Sequence, residues 1–400
     1  MRIFEMRMIP AGILSTVLML ASGSAVLPAQ QTESGAASGI PALQPPFKTI
    51  TYSTWTTKGA SSPFFAHGYL IQFVRNSPSS KESNIHLVNW SGKLVHEATA
   101  WPDGAVKVFL TSVDVGADSQ LVFSGLATRT DGSLSAFIAT SNLDGDNPRY
   151  FGTGNYLATR IARADDGSLW TIGSVLPERH QVAGGDVKTF PNYDVLHHYS
   201  SAGVLIEHFL SRWGVDVAYI TDSGAQGGLA AHNLSGDTVA SPYLDPSWGY
   251  NDAWKTSRQV FLRSSGTQTV LYDGLHNQLC RHDSTANAFS CESVSGAYAN
   301  PMSLTGFALT GKGEVLASMR SSESNQRAVR HLFLLSPQVT HSGLQWLGVP
   351  VTKSDAPFRA RFSSLLGVDN DSLVYSTSQT KGGIRALQVH ESNRDVQSEF

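Results

Sequence analysis

RQVFLRSSGTQTVLYDGLHNQLCRHDSTANAFSCESV, residues 258–294, holds four alternating stretches: RQVFLR, QTVLYDG, NQLCRHD and AFSCESV. Ser264-Ser265-Gly266 separates the first two, and short polar loops separate the others. Apolar residues repeating with period two around Gly- or Asp-containing turns specify hairpins. Four such strands in so short a span form one small antiparallel sheet.

The same phrase recurs on both sides. Residues 64–99 give YLIQFVR, NIHLVNW, a Ser91-Gly92 turn and KLVHEA; residues 106–153 give VKVFLTSV, QLVFSGLAT, LSAFIATS and RYFGT. Residues 156–210 give LATRIARA, SLWTIGSV, YDVLHHYS and VLIEHFL, and residues 302–349 give SLTGFALT, EVLASM, HLFLLS and LQWLGV. A four-stranded unit repeating every ~40–55 residues predicts a β-propeller, because one small sheet cannot bury both faces and must pack on copies of itself. The fold class is therefore all-β, a single propeller.

Two details concern the ring. The last unit, from residue 359, offers ARFSSLLGV, SLVYSTS and IRALQVH and lacks a fourth strand, whereas KTITYSTW at residues 48–55 stands alone. Pairing this N-terminal strand with the C-terminal blade removes two open sheet edges. Residues 215–254 contain one clear hairpin, LAAHNLSGDTVASPY, and then lose the rhythm. Taken as a degenerate blade this stretch gives seven blades, the favoured count; taken as an insertion it gives six.

Before the propeller, Arg2 and Arg7 precede an apolar run from Met8 to Ala21 and the small residues Gly23, Ser24, Ala25 and Ala29. This predicts a secretory signal peptide over residues 1–29, with cleavage after Ala25 or Ala29. The run is shorter than the ~20 residues of a spanning helix, so a retained membrane anchor is the lesser reading and no integral segment is expected after cleavage. Residues 30–46, rich in Gln, Ser, Gly, Ala and Pro, read as a flexible leader. Residues 47–393 form the propeller and 394–400 a tail, in a protein exported to the periplasm or beyond. Both cysteines, Cys280 and Cys291, fall on adjacent strands of one blade, where oxidising conditions favour a disulfide.

Formal net charge is −3 and charged residues make up 15% of the chain, with no basic tract to hold a phosphate backbone, so nucleic acid is not expected as a partner. There is no Gly-rich phosphate loop and no G-x-S-x-G elbow, which leaves nucleotide and α/β-hydrolase chemistry without a motif. Asp144-Gly145-Asp146-Asn147 lacks the rest of a calcium loop and reads as a hairpin turn, as do Asp131-Gly132 and Asp165-Asp166-Gly167. His197 and His198 are strand neighbours that point to opposite faces, so they and His208 read as structural or surface residues.

The turns ADDGSLWTIGS (residues 164–174) and NWSGKLV (residues 89–95), together with the N-terminal pattern, resemble secreted bacterial propellers of the NHL-repeat and TolB-like type. That resemblance implies the fold, and it implies a range of roles from binding scaffold to metal-dependent lactonase. The lactonase-like members hold a metal through Glu, Asn or Asp in the channel, and no such set can be matched here residue by residue.

One segment breaks the blade rhythm while concentrating aromatic and acidic side chains. Trp213, Asp222, Tyr243, Asp245, Trp248, Tyr250, Asp252 and Trp254 are the candidate ligand-binding residues, since rings beside carboxylates suit sugars, peptides or cationic ligands. The bland reading makes these rings packing between blades. The expected function is a non-enzymatic scaffold for an unidentified small-molecule, glycan or protein ligand, without a cofactor. The alternative is a metal-dependent hydrolase or lyase at the channel mouth, for which calcium is the candidate ion.

Overall fold

The computed structural model describes residues 48–52, 60–77, 79–176, 178–182, 185–190, 193–212, 215–219, 230–232, 260–273, 278–295, 303–320, 332–341, 343–348, 362–369, 372–377 and 384–390. Every regular element among them is a β-strand, arranged as a propeller. The signal peptide and leader read from the sequence lie outside the described residues.

β1 (Lys48–Tyr52) precedes a first blade made of β2 (Phe64–Ala66), β3 (Tyr69–Phe73), β5 (Ile85–Val88) and β6 (Leu94–Ala98); between them, β4 (Asn76–Ser77) pairs with the next sheet instead. The second blade is β7 (Ala105–Val115), β8 (Leu121–Arg129), β9 (Leu134–Ser141) and β10 (Arg149–Gly152). The third is β11 (Tyr156–Arg163), β12 (Leu169–Val175), β15 (Tyr193–Tyr199) and β16 (Leu205–Arg212). Between β12 and β15 the chain sends out a hairpin, β13 (Glu178–Val182) and β14 (Gly185–Phe190), on which β17 (Val215–Tyr219) and β18 (Ala230–His232) build a separate sheet.

The quoted stretch forms the fourth blade: β19 (Val260–Ser265), β20 (Gln268–Asp273), β21 (Gln278–Asp283) and β22 (Ala288–Ser295). β23 (Ser303–Leu309), β24 (Val315–Arg320), β25 (Leu332–Thr340) and β26 (Gly343–Gly348) repeat the meander, and β26 pairs in parallel with β22 through Val294↔Leu344 and Ser295↔Gln345. Each of these two sheets thereby covers the other's outer edge. Last come β27 (Phe362–Asp369), β28 (Ser372–Thr377) and β29 (Ile384–His390), and β1 pairs antiparallel with β29, Ile50 opposite Ala386.

Inner strands are buried or half-buried over most of their length because each blade is sandwiched between neighbours. Ile71, Phe73 and Leu87 of the first blade share a core with Val108, Leu110 and Phe123 of the second. Val122 and Ile138 then pack on Tyr156 and Ile161, and Trp170 and Leu196 on Leu262 and Leu271. Tyr272 and Leu279 pack on Phe307 and Trp346. Each such side chain contributes roughly 1.5–3 kcal/mol over its exposed state.

The first blade also meets the β27–β28 sheet, where Phe65 and Leu70 pack on Leu366 and Val374, and Trp90 Nε1 donates to Asp369 Oδ2 at 2.6 Å. Neighbouring inner strands approach so closely that some positions admit only glycine. A Cβ on Gly306 would fall on the Leu365 carbonyl oxygen, and one on Gly367 on that of Phe65.

The disulfide is present: Cys280 and Cys291 stand opposite one another on β21 and β22 with their Cα atoms 4.0 Å apart. Cys280 is buried in the core shared with Trp170, and the bond ties the outer strand to it.

Candidate functional site

The first strands of successive blades run side by side, and each leaves backbone groups facing the blade before it. Short polar side chains meet those groups. Thr111 Oγ1 donates to the Ala158 carbonyl at 2.5 Å, and Ile161 N donates to Ser112 Oγ at 3.2 Å. Arg163 N donates to Asp114 Oδ2 at 3.2 Å, and Leu365 N to Ser318 Oγ at 3.0 Å. β7 and β11 are thereby held in a fixed stagger that sets the height of the charged residues beside them.

Three arginines, one aspartate and one histidine from four blades come within electrostatic reach of one another on this inner wall. Arg160 of β11 donates from Nε to the Val260 carbonyl and from Nη1 to the Thr159 carbonyl, both at 3.0 Å. Arg263 of β19 donates from Nη1 to the Leu262 carbonyl at 2.8 Å and lays its guanidinium over the Phe64 ring of β2, 5.7 Å from the centroid. First and fourth blades therefore meet through side chains. Arg75 follows β3, where its carbonyl accepts from Leu110 N of β7. His67 sits in a two-residue turn between β2 and β3 with φ of 43°, followed by Gly68 at 86°. Both residues are left-handed, as a tight I′ hairpin requires.

Arg75, Asp114, Arg160 and Arg263 all keep partial access to solvent, yet the ionisation of Asp114, Arg160 and Arg263 is shifted by their surroundings. Burial pushes Arg160 down to about 9, with repulsion from Arg263 and Arg75 adding to it. Burial also lowers Arg263, against the attraction of Asp114. Asp114 is raised above the usual carboxylate range by burial, opposed by Arg263, the Arg163 backbone N–H, His67 and the Val115 N–H. Among the described residues no carboxylate lies within salt-bridge distance of Arg160 or Arg263. Just beyond the cluster Arg163 is treated differently: its guanidinium grips both oxygens of Asp118, with contacts of 2.5, 2.9 and 3.1 Å.

The histidines singled out from the sequence belong to the third blade. His197 stacks on Tyr156 with centroids 3.7 Å apart and shares a hydrogen bond with Tyr199 Oη at 2.9 Å, whereas His198 stacks on Trp170 at 3.9 Å. The two rings thus leave opposite faces of the sheet, as strand geometry demands. His208 Nδ1 meets Asp194 Oδ2 at 2.6 Å. Burial brings His197 down to about 4, His208 adds repulsion, and Asp194 opposes both. No group of three or more His, Cys, Asp or Glu among the described residues is arranged to hold a metal ion.

The Asp-rich turns are architectural. Asp146 N donates to Asn142 Oδ1 at 2.7 Å and Ser168 N to Asp166 Oδ1 at 2.8 Å, while Asp165 Oδ2 accepts from Gly266 N at 2.9 Å and links the third blade to the fourth.

Of the aromatic and acidic segment, Trp213, Asp222, Tyr243, Asp245, Trp248, Tyr250, Asp252 and Trp254 lie outside the described residues. Its neighbour Asp216 lies on β17 opposite Thr189 and His232. The arginine cluster was not singled out from the sequence. Its trace there is an arginine on the first strand of a blade, in LATRIARA and again in RQVFLR.

No protein-family model matches the chain, and no curated protein sequence matches it. Solved structures do resemble it. A Bacteroides fragilis protein named as exported is 10% identical, with 90% of this chain and 98% of that one covered and a TM-score of 0.44. A DUF4623 family protein from Bacteroides eggerthii is 10% identical over 88% and 77% of the two chains, with a TM-score of 0.40. A luciferin-regenerating enzyme is 11% identical over 86% and 93%, with a TM-score of 0.38. The fold is therefore read from the strand pairing itself.

Proposed function

We propose that this chain is an exported, non-enzymatic ligand-binding propeller that holds a small molecule at the axis, among Arg75, Asp114, Arg160 and Arg263. One observation carries the reading: side chains from four successive blades, separated by up to 188 residues between Arg75 and Arg263, converge on one place that solvent still reaches. Loops and inner walls of a rigid scaffold are where such folds place binding groups. The resemblance to NHL-repeat and TolB-like propellers adds the blade pattern and no ligand.

We propose a ring of six blades, closed by β1 in the β27–β29 sheet. The packing of Phe65 and Leu70 on Leu366 and Val374 supports closure, as does the bond from Trp90 to Asp369. The pairing of β17 with β14 supports treating the 215–254 stretch as an addition to the third blade and not as a seventh. We propose that the aromatic and acidic segment from Trp213 to Trp254 contributes ring contacts to the ligand, since rings beside carboxylates suit sugars, peptides or cationic groups.

A metal-hydrolase reading gains no support at the axis, where a single described carboxylate stands among three cations that repel a metal ion. The test is a thermal-shift screen of a chemically mixed ligand library against the exported protein. Hits should lose binding in Trp248→Ala or Trp254→Ala with little change in melting temperature, and in Arg263→Gln. Mass spectrometry of the exported form should give an N terminus at Val26 or Gln30. A product retaining Met1, or a library with no hit sensitive to these changes, overturns the reading.

A further inference from the structure

We propose that a small zwitterion of amino-acid size, carrying one carboxylate and one ammonium group, binds between the second and third strands of the fourth blade, held by Arg281 and Asp283. This site stands apart from the axis and does not depend on the reading above.

The site begins as a gap in a ladder. β20 and β21 pair from Asp273↔Gln278 to Val270↔Arg281 and then stop. Each strand runs on with its other neighbour: β19 holds β20 as far as Ser265↔Gln268, and β22 holds β21 as far as Asp283↔Ala288. The two strands therefore part at this end, and residues 267–270 and 281–284 line a cavity of about 310 Å³. That volume falls at the low end of the ~300–1,000 Å³ usual for small-molecule pockets, which suits a compact ligand. Val270 is buried, whereas Gln268, Arg281 and Asp283 are exposed, so the gap is polar at its mouth and opens to solvent.

Charge then selects the ligand. Arg281 and Asp283 stand two apart on β21 in regular register, and alternation along a strand sends both side chains from the same face. Their Cα atoms lie roughly 7 Å apart along the strand, close enough for both to act on one small molecule. Arg281 Nη1 donates to the Gly313 carbonyl at 3.4 Å, in the turn between β23 and β24. That bond orients the guanidinium and leaves its Nε and Nη2 edge without an acceptor among the described residues. Such an edge grips the two oxygens of a carboxylate. Glu292 attracts Arg281 from β22, yet no carboxylate of a described residue comes within ion-pair distance of it.

Asp283 is fixed from the other side. Its Oδ1 accepts from Thr285 N at 2.8 Å and from Ala286 N at 3.2 Å, which leaves Oδ2 for an ammonium group. Those backbone donors hold the carboxyl below the usual carboxylate range, so it is ionised at neutral pH. Gln268 closes the third side, its amide packed against Gly313. A cation and an anion, each oriented by backbone, favour a molecule that answers both. A ligand of single charge would satisfy one group and meet like charge at the other.

The experiment uses the full exported protein at pH 7 and constant ionic strength, in ligand-observed NMR and calorimetric titrations. Alanine and γ-aminobutyrate serve as zwitterions of short and long charge spacing; butyrate, butylamine and glucose are the anionic, cationic and neutral controls. At least one zwitterion should bind with a dissociation constant below about 1 mM, and about tenfold or more tighter than every control. The tighter of the two reports the spacing that the pocket takes. Asp283→Asn keeps an oxygen for the two backbone donors and removes the charge, so it should abolish the preference over butyrate and retain that over butylamine. Arg281→Gln should do the reverse. Arg281→Lys, which keeps charge without the fork, should weaken zwitterion binding about three- to tenfold. Circular dichroism identifies any variant that fails to fold, and Asp283→Asn with Arg281→Lys then decides.

Failure of both zwitterions to bind overturns the inference. So does binding of glucose or of a singly charged control as tight as theirs, and so does unchanged zwitterion binding in the folded variants. The axial reading is judged through Arg263 and survives each of these outcomes.

Discussion

Arg263 and Phe64 meet although they belong to the first strands of the fourth and first blades: the guanidinium carbon sits 5.7 Å from the ring centre. The contact brings together residues 199 positions apart in sequence and joins two blades that share no strand pairing. Such a contact is worth about 0.5–2 kcal/mol, depending on how dry the site is. Phe64→Leu should therefore lower the urea unfolding free energy by about 1 kcal/mol, while Phe64→Tyr should leave it nearly unchanged. A loss as large in the tyrosine variant would show that packing, and not the ring face, is what matters.

Gly306 and Gly367 each lie where a methyl group would meet a carbonyl oxygen of the adjoining inner strand. Gly306→Ala and Gly367→Ala should each destabilise by about 1–3 kcal/mol, the usual range for overpacking. Gly132 makes a useful contrast, since its φ is 81° and nothing crowds it. Gly132→Ala should cost about 1 kcal/mol from backbone strain alone. Thermal unfolding of the three variants in parallel separates crowding from conformation.

His197 is held neutral between Tyr156, Tyr199, His208 and Asp194, with its pKa brought from 6.5 down to about 4. The unfolded chain thus binds a proton on this ring at a pH where the folded chain does not. Its contribution to stability is complete above about pH 6.5, falls as pH drops toward about 4, and changes no further below that. Partial exposure of the ring reduces the size of the effect. In His197→Phe, urea midpoints measured from pH 7 to pH 4 should fall less steeply than in wild type; parallel curves would remove His197 as the cause.

The bond between Cys280 and Cys291 closes a loop with a sequence separation of 11. Chain-entropy reasoning gives it about 2–3 kcal/mol. Cys280→Ser with Cys291→Ser should lower the unfolding free energy by that amount, and added dithiothreitol should do the same to wild type but nothing further to the double variant. Ligand binding at the proposed axial site should survive both treatments, because the bond joins the third and fourth strands of its blade.

Period-two alternation located most strands of the described blades, since such sheets need turns at regular intervals and Gly and Asp mark them, but it missed β2, whose three residues are too few to alternate. It also paired KTITYSTW with the final sheet, because an orphan strand and a three-stranded unit have one economical solution. The hairpin of β13 and β14 escaped because ERHQV and GDVKTF carry too few apolar residues to alternate. The axial arginines escaped for a different reason: nothing local distinguishes Arg160 or Arg263 from a solvated strand residue. Their meaning comes from the packing of blade on blade, which brings first strands together from distant parts of the chain. The aromatic segment was conspicuous in sequence for the opposite reason, being dense in unusual residues over a short span.

The pairing of Lys48–Tyr52 with Ile384–His390 also orders events in time. Ribosomes add about 5–20 residues per second, so the earliest strand waits about 20–70 s, set by that rate, for its partner to be made. Throughout that interval the nascent chain carries a strand with unsatisfied amides that any neighbouring chain could capture. Protection by a chaperone, or delay of folding until the whole polypeptide is available, is thus a requirement that this one ladder of hydrogen bonds places on the cell.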